Sequence, residues 1–364
     1  MLSAAEGVWH TLTRIVSIAA VVIAQSATAD GNDPLFETHE LLELTLHAPI
    51  KTINRKRDRS ISYPARFSFR IDDETVNLDV QVEARGKNRR KRTVCKSPPL
   101  RILFDEEQAE GSIFENQTRL KLVVQCDPYN KAYESYLVRE YLAYRILNEI
   151  TPRSFNVRLA RITYQDTDTA KARSNLAFFI EHKKRLANRL GATHLEIDQT
   201  SAVVLDSSHL NQTSLFQLLI GNVDWSATSI KTNECCHNYK LFEEGDKLLS
   251  IPYDFDLSGL VNAKYAKPDI KMGLKTIRDR RYRGYCRNNN FLDENIKLFN
   301  DKKAEILDLF QASLYLPERK KKTSISYIEA FYRIVNNPKR VRQVILGRCH
   351  KSIMVEVPIA TIRL

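Results

Sequence analysis

The chain lacks an apolar run long enough to cross a bilayer: IVSIAAVVIA at 15–24 falls well short of the roughly 20 residues a spanning helix needs. It also lacks a C-x-x-C pair, an internal repeat and a low-complexity tract, which argues against paired-cysteine zinc sites, repeat arrays and a mainly disordered chain. There is no aromatic-rich platform for single strands and no DNA-binding motif, so nucleic acid is not an expected partner despite the positive charge.

What is present is 364 residues with 43% hydrophobic content, enough for a sizeable core, and a formal charge of +12. That charge favours anionic partners such as nucleotides and acidic proteins. Arg14, the short apolar run and the Ala27/Ala29 exit before Asp30 read as a signal peptide over 1–29. The reading makes the protein exported, periplasmic or secreted, with membrane attachment only if the leader stays uncleaved. In an oxidising compartment the six cysteines, Cys95, Cys126, Cys235, Cys236, Cys286 and Cys349, become candidates for three disulfides. The adjacent Cys235 and Cys236 are each expected to find a distant partner.

LLELTL at 41–46 reads as a first strand. From 65 to 125 the pattern has period two, and ARFSFRI, VNLDVQVEARG, PPLRILFD and TRLKLVVQ each read as a strand of an antiparallel sheet. KTINRKRDRS and KNRRKR read as solvated turns. The stripe in YESYLVREYLAYRILNEI predicts a helix over 133–150 that packs on the sheet and stops at Pro152. NVRLARITY and NLAFFIEH form a strand pair, and KKRLANRL a short helix closed at Gly191. Beyond about 195 helical spacing dominates, with an amphipathic helix over 209–222 and others over 292–314 and 324–346. Residues 264–290 read as a long basic, flexible loop. The division is 30–195, strand-rich, and 196–364, helix-rich and carrying the acidic loops.

Chemistry concentrates in residues 221–259. Asp224 follows a Gly-Asn helix end, Asn238 opens the strand HNYKLF, and Asp254 and Asp256 flank Phe255 after LLSIPY. An Asp can orient a nucleophile, and an amide with further carboxylates can offer Mg²⁺ hard oxygen ligands, leaving its other positions to water and phosphate. On the strand-rich side, Arg85 and Gly86 end one strand and Lys96 precedes the next, where a lysine can face phosphates as a point charge. Glu134 or Glu140 on the 133–150 helix could pair with such a lysine, and Glu181 ends the strand LAFFI.

With these residues in place, the chain resembles the CotH kinase family of spore-coat proteins. The likeness runs from about 65 to 260, through ARGKNRRKRTVCKSPPLRILFD, LAFFIEHKKRLANRL, NVDWS, HNYKLF and PYDFD. It implies an α+β, two-lobed protein-kinase-like fold with an N-terminal antiparallel β-rich lobe and a C-terminal helical lobe. It further implies Asp224 as catalytic residue, Asn238 with Asp254 or Asp256 as Mg²⁺ (or Mn²⁺) ligands, and Lys96 on the phosphates of ATP, with Arg85, Glu140 and Glu181 around the nucleotide. One departure is plain: the family has Gly directly after the second Asp, and here Leu257 and Ser258 intervene before Gly259. The expected function is an exported kinase acting on a protein hydroxyl, most naturally of an acidic protein. The alternative is an idle kinase-like module that binds an envelope or surface partner.

Overall fold

The computed structural model describes residues 33–71, 74–229 and 235–351; the leader expected over 1–29 lies outside them. The first elements are β1 (Leu42–Ala48), α1 (Ile50–Lys56), β2 (Ser62–Ile71), β3 (Glu74–Ala84), β4 (Leu100–Phe104), α2 (Glu106–Ala109) and β5 (Arg119–Val124). They are followed by α3 (Ala132–Ile150), β6 (Val157–Asp166), β7 (Ala172–Ile180) and α4 (Lys183–Leu190). α1 replaces the turn expected at KTINRKRDRS; the left-handed Arg57 ends it with an N–H to the Ile53 carbonyl.

The strands close into a barrel in the order β1-β2-β3-β4-β5-β7-β6. This overturns the two-lobed protein-kinase-like fold expected from the resemblance. The period-two pattern locates strands, but it cannot say what the first strand pairs with. LELTLHA pairs antiparallel with β2 on one side and parallel with β6 on the other, Leu42 opposite Ala160 and Ala48 opposite Asp166. Both edges are thereby used and the sheet is closed and mixed. Phenylalanines fill the interior: Phe114 lies 5.0–5.7 Å from the rings of Phe104, Phe67, Phe69 and Phe179.

The remaining chain gives β8 (Thr193–Leu195), α5 (Ser207–Ile220), β9 (Tyr239–Glu244) and β10 (Lys247–Pro252), then α6 (Leu292–Asp301), α7 (Lys303–Gln311), α8 (Glu318–Val335) and α9 (Pro338–Val341). β8, β9 and β10 form a small antiparallel sheet. One apolar core runs from the outer face of the barrel (Leu159, Leu176, Phe178) through α3 and α5 to Ile328 and Phe331 of α8. α5 is therefore buried nearly all round rather than amphipathic; Thr213 and Ser214 bond the Leu210 carbonyl, while His209, Asn211 and Gln217 reach Ser250, Asn295 and Tyr239. Among the described residues no helix is long and apolar enough to cross a membrane.

Two basic segments turn inward where solvated loops are expected. In KNRRKR, Arg90 donates to the Arg57 and Gly86 carbonyls and Arg89 to that of Val124. In 264–290, Arg280 donates to the carbonyls of Leu218, Leu219 and Tyr327. A guanidinium offers several fixed donors, so it can satisfy carbonyls that a helix end leaves open. All six cysteines pair: Cys95 with Cys126, Cys286 with Cys349, and Cys235 with Cys236. The last pair corrects the expectation of distant partners. The other four cysteines are matched at Cα separations of 4.6 and 5.0 Å, which leaves the neighbours to each other.

Candidate functional site

Asp224 sits on a loop fixed from several sides. α5 ends at Gly221 in the left-handed region (φ 63°), where a Cβ would lie 1.9 Å from Tyr327 Oη, so only glycine fits. The Asn222 side chain accepts from the Asp224 N–H at 3.0 Å, and Trp225 Nε1 donates to the Asn222 carbonyl at 3.1 Å. Arg283 donates to the carbonyls of Val223 and Trp225, the residues on either side of Asp224. The half-exposed carboxylate meets His237 Nε2 at 2.9 Å and Asn238 Nδ2 at 3.2 Å, and the same amide donates to the Asp224 carbonyl at 2.6 Å. The hydrogen bond to Asp224 raises the His237 pKa above its ordinary value, against the opposing effect of burial.

The acid-aromatic-acid segment is brought to the same place by backbone pairing. The Tyr253 N–H bonds the Asn238 carbonyl at 3.0 Å, and those of Gly259 and Leu260 bond the carbonyls of Gly221 and Ile220 at the end of α5. Gly259 passes so close that a Cβ would lie 2.2 Å from Tyr327 Oη. Phe255 is fully buried between Tyr144 and Phe216, with ring centroids 4.5 and 5.1 Å away, which anchors the segment between the two acids. Asp254 takes a positive φ of 67°, and its N–H donates to Tyr144 Oη at 2.8 Å. Asp256 is buried and hydrogen-bonded to Tyr265, with Asp254 and Asp224 close enough to repel it.

Cations line the barrel side of this cluster. Arg89 Nη1 lies 3.4 Å from Glu140 and 3.7 Å from Asp256. Burial pushes the pKa of both acids up; Arg89 opposes this, while Asp254 adds to it. Arg85 donates to the Leu100 carbonyl and feels the charges of Asp254 and Glu140. Lys121 of β5 lies with Nζ 4.3 Å from the centre of the Tyr253 ring. Burial, then the Arg85 charge, lower its pKa to about 7, while Asp254 works the other way.

Of the residues singled out from sequence, the structure brings together Arg85, Glu140, Asp224, Asn238, Asp254 and Asp256. It places Lys96 elsewhere, in an exposed ion pair with Asp127 at 2.8 Å beside Tyr129. It also places Glu181 elsewhere: this carboxylate is clamped by Arg189 at 3.0 and 2.9 Å and accepts the Asn156 N–H. Lys121, Arg89, His237 and Tyr265 were missed. Lys121 carries no signal beyond its outward place in TRLKLVVQ, where the next layer covers it instead of solvent.

Among the described residues, no group of three or more His, Cys, Asp or Glu side chains is arranged to hold a metal ion. The Asp254 and Asp256 carboxylates and the Asn238 amide oxygen are hard oxygen donors. They suit Mg²⁺ or Mn²⁺, which take few protein ligands when phosphate is present, better than zinc. No protein-family model matches the chain, and no curated protein sequence matches it. The likeness to CotH kinases therefore rests on its motifs.

Proposed function

We propose that the protein is an exported phosphotransferase that moves the γ-phosphate of ATP to a protein hydroxyl, with Asp224 orienting that hydroxyl and Asn238, Asp254 and Asp256 as oxygen ligands for Mg²⁺ or Mn²⁺. The observation that carries the reading is Asn238. Its amide holds the Asp224 carboxylate and its backbone carbonyl holds Tyr253, so the orienting acid and the acidic pair are referenced to one residue. Because the amide nitrogen is committed to Asp224, the side-chain oxygen is the end left for a ligand.

Asp224, fixed by His237 and Asn238 yet half-exposed, can accept a hydrogen bond from an incoming hydroxyl and align it for in-line attack. Lys121 and Arg85 put positive charge beside Asp254, where a triphosphate would lie. A bound divalent ion would neutralise charge on the phosphate oxygens. The net charge of +12 favours an acidic protein as acceptor. Three disulfides and the leader-like 1–29 are consistent with export.

A second reading, a catalytically idle module that binds an envelope partner, is favoured by Arg89. Its guanidinium already balances Asp256 and Glu140 without any metal. Transfer of labelled γ-phosphate with Mg²⁺ or Mn²⁺ separates the two, using protein made in an oxidising host beside Asp224→Asn and Asp256→Ala. Label on the protein or on an acidic acceptor, lost in both variants, supports the phosphotransferase. No transfer, with no nucleotide-dependent rise in Tm, refutes it.

A further inference from the structure

A second charged feature lies apart from the acid cluster and shares no residue with it. A groove of about 570 Å³ is lined by Arg139 of α3, Asn262, Arg278, and Arg319, Lys320 and Lys322 from the first turns of α8. No carboxylate lines it. Among the described residues none of these cations has an ion-pair partner, and the adjacent Glu318 is exposed and paired with Lys321 at 2.9 Å. Five like charges gathered around the groove, with exposed Glu318 acting on Lys322 from outside it, raise the energy of the empty groove, and an anion relieves it.

Arg139 supplies the independent observation. The side chain is 2% exposed, and it donates from Nε to the Ser135 carbonyl at 3.0 Å and from Nη1 to the Leu260 carbonyl at 3.2 Å. Its Nη2 is buried and has no partner. A buried guanidinium nitrogen without an acceptor is costly, and this one belongs to a residue of the groove wall. Arg319, Lys322, Thr323 and Ser326 follow helical spacing along one face of α8, so two hydroxyls and the positive end of an 18-residue helix add to the same field.

We infer that this groove binds a small polyphosphorylated ligand, with Arg139 Nη2 donating to one phosphate and the Arg278 and α8 cations holding the rest. A phosphate group carries a charge of roughly −1.5 to −2, so the cations present balance two or three such groups rather than one. No aromatic ring lines the groove to stack a base, and no apolar side chain lines it to enter a bilayer. A compact free ligand therefore fits better than nucleic acid or a membrane.

The test is calorimetric titration of the full chain with tripolyphosphate at physiological salt and with divalent ions chelated, sulfate serving as control. We expect saturable binding that weakens roughly tenfold or more in the triple variant Arg319→Ala, Lys320→Ala, Lys322→Ala, and also in Arg139→Lys, which keeps charge but loses the planar fork. The α8 variant is on the surface and keeps the test decisive if Arg139→Lys does not fold. Binding should be unchanged in the remote Arg55→Ala, Lys56→Ala pair, while Lys121→Met reports any tripolyphosphate held at the acid cluster instead. Absence of saturable binding, equal loss in the remote pair, or loss only in Lys121→Met would overturn the inference. So would tighter capture, through the α8 residues, of an oligonucleotide or of vesicles carrying polyphosphorylated headgroups that tripolyphosphate does not displace.

Discussion

Replacing Arg89 by Met tests the electrostatic core of the candidate site. Arg89 is the cation shared by Glu140 at 3.4 Å and Asp256 at 3.7 Å, with side-chain exposures of 13%, 3% and 8% respectively. Methionine fills much of the same space and removes the charge. Breaking a buried pair by taking one partner away costs roughly 3–5 kcal/mol, because the remaining charge is stranded. For a chain this long about 2 °C of Tm accompanies each kcal/mol, so a fall of about 6–10 °C is expected.

The pH dependence gives the prediction its sign. Both acids already titrate above their ordinary values in the fold, chiefly because they are buried. Their contribution to stability is complete below the ordinary carboxyl range and is lost as pH rises through the raised values. Without Arg89 those values rise further, so the gap in Tm between wild type and variant should widen from about pH 6, below the wild-type values of about 7 and about 8, to about pH 9, above them. Scanning calorimetry at both pH values decides it. An equal gap, or one that narrows with pH, would show that Arg89 does not compensate these acids and would remove the argument that the cluster is balanced without a metal.

Two further outcomes follow from the same geometry. The folded pKa of Lys121 is lowered to about 7 from 10.5, so the unfolded chain binds the extra proton and wild type should gain stability relative to Lys121→Met as pH rises between these values, read by Tm against pH. If Lys121 faces phosphate, ATP affinity in wild type should weaken over the lower part of that interval, and Lys121→Met should flatten the profile; a profile unchanged by the substitution counts against the role. Gly259→Ala puts a Cβ 2.2 Å from Tyr327 Oη and 2.8 Å from the Ile277 carbonyl, so a loss of roughly 1–3 kcal/mol is expected by denaturant unfolding. Adding Tyr327→Phe should recover part of it, and no recovery would place the strain on the backbone alone.

The strands and helices were legible because burial imposes periods of two and 3.6, and LRILF, RLKLVV and the 132–150 helix lie where those periods put them. Closure of the barrel was not, because the pairing of LELTLHA with a strand more than a hundred residues later leaves no local mark. The acidic order Asp224, Asn238, Asp254, Asp256 did predict a cluster, since residues at strand and helix ends are close in sequence to the turns that gather them. The cations did not follow. Lys96 looked like a phosphate ligand by position but has Asp127 beside it, whereas Arg89 lies in a run of basic residues whose inward members nothing in the sequence distinguishes.

The parallel seam between β1 and β6 also sets an order of events during synthesis. Leu42 is made long before its partner Ala160, and α3 and four other strands must emerge between them. Until residue 166 is available β1 keeps an unpaired row of backbone groups, and β5 keeps one until β7 is complete at residue 180; strand rows of that kind recruit other chains. The nascent chain therefore carries one adhesive margin from residue 48 to residue 166 and a second from residue 124 to residue 180, and the wait for a distant partner makes the last closure slow. For a chain read here as exported, that interval is when a holding chaperone has the most to cover, and it ends only when β7 joins β5 to β6 and the ring is complete.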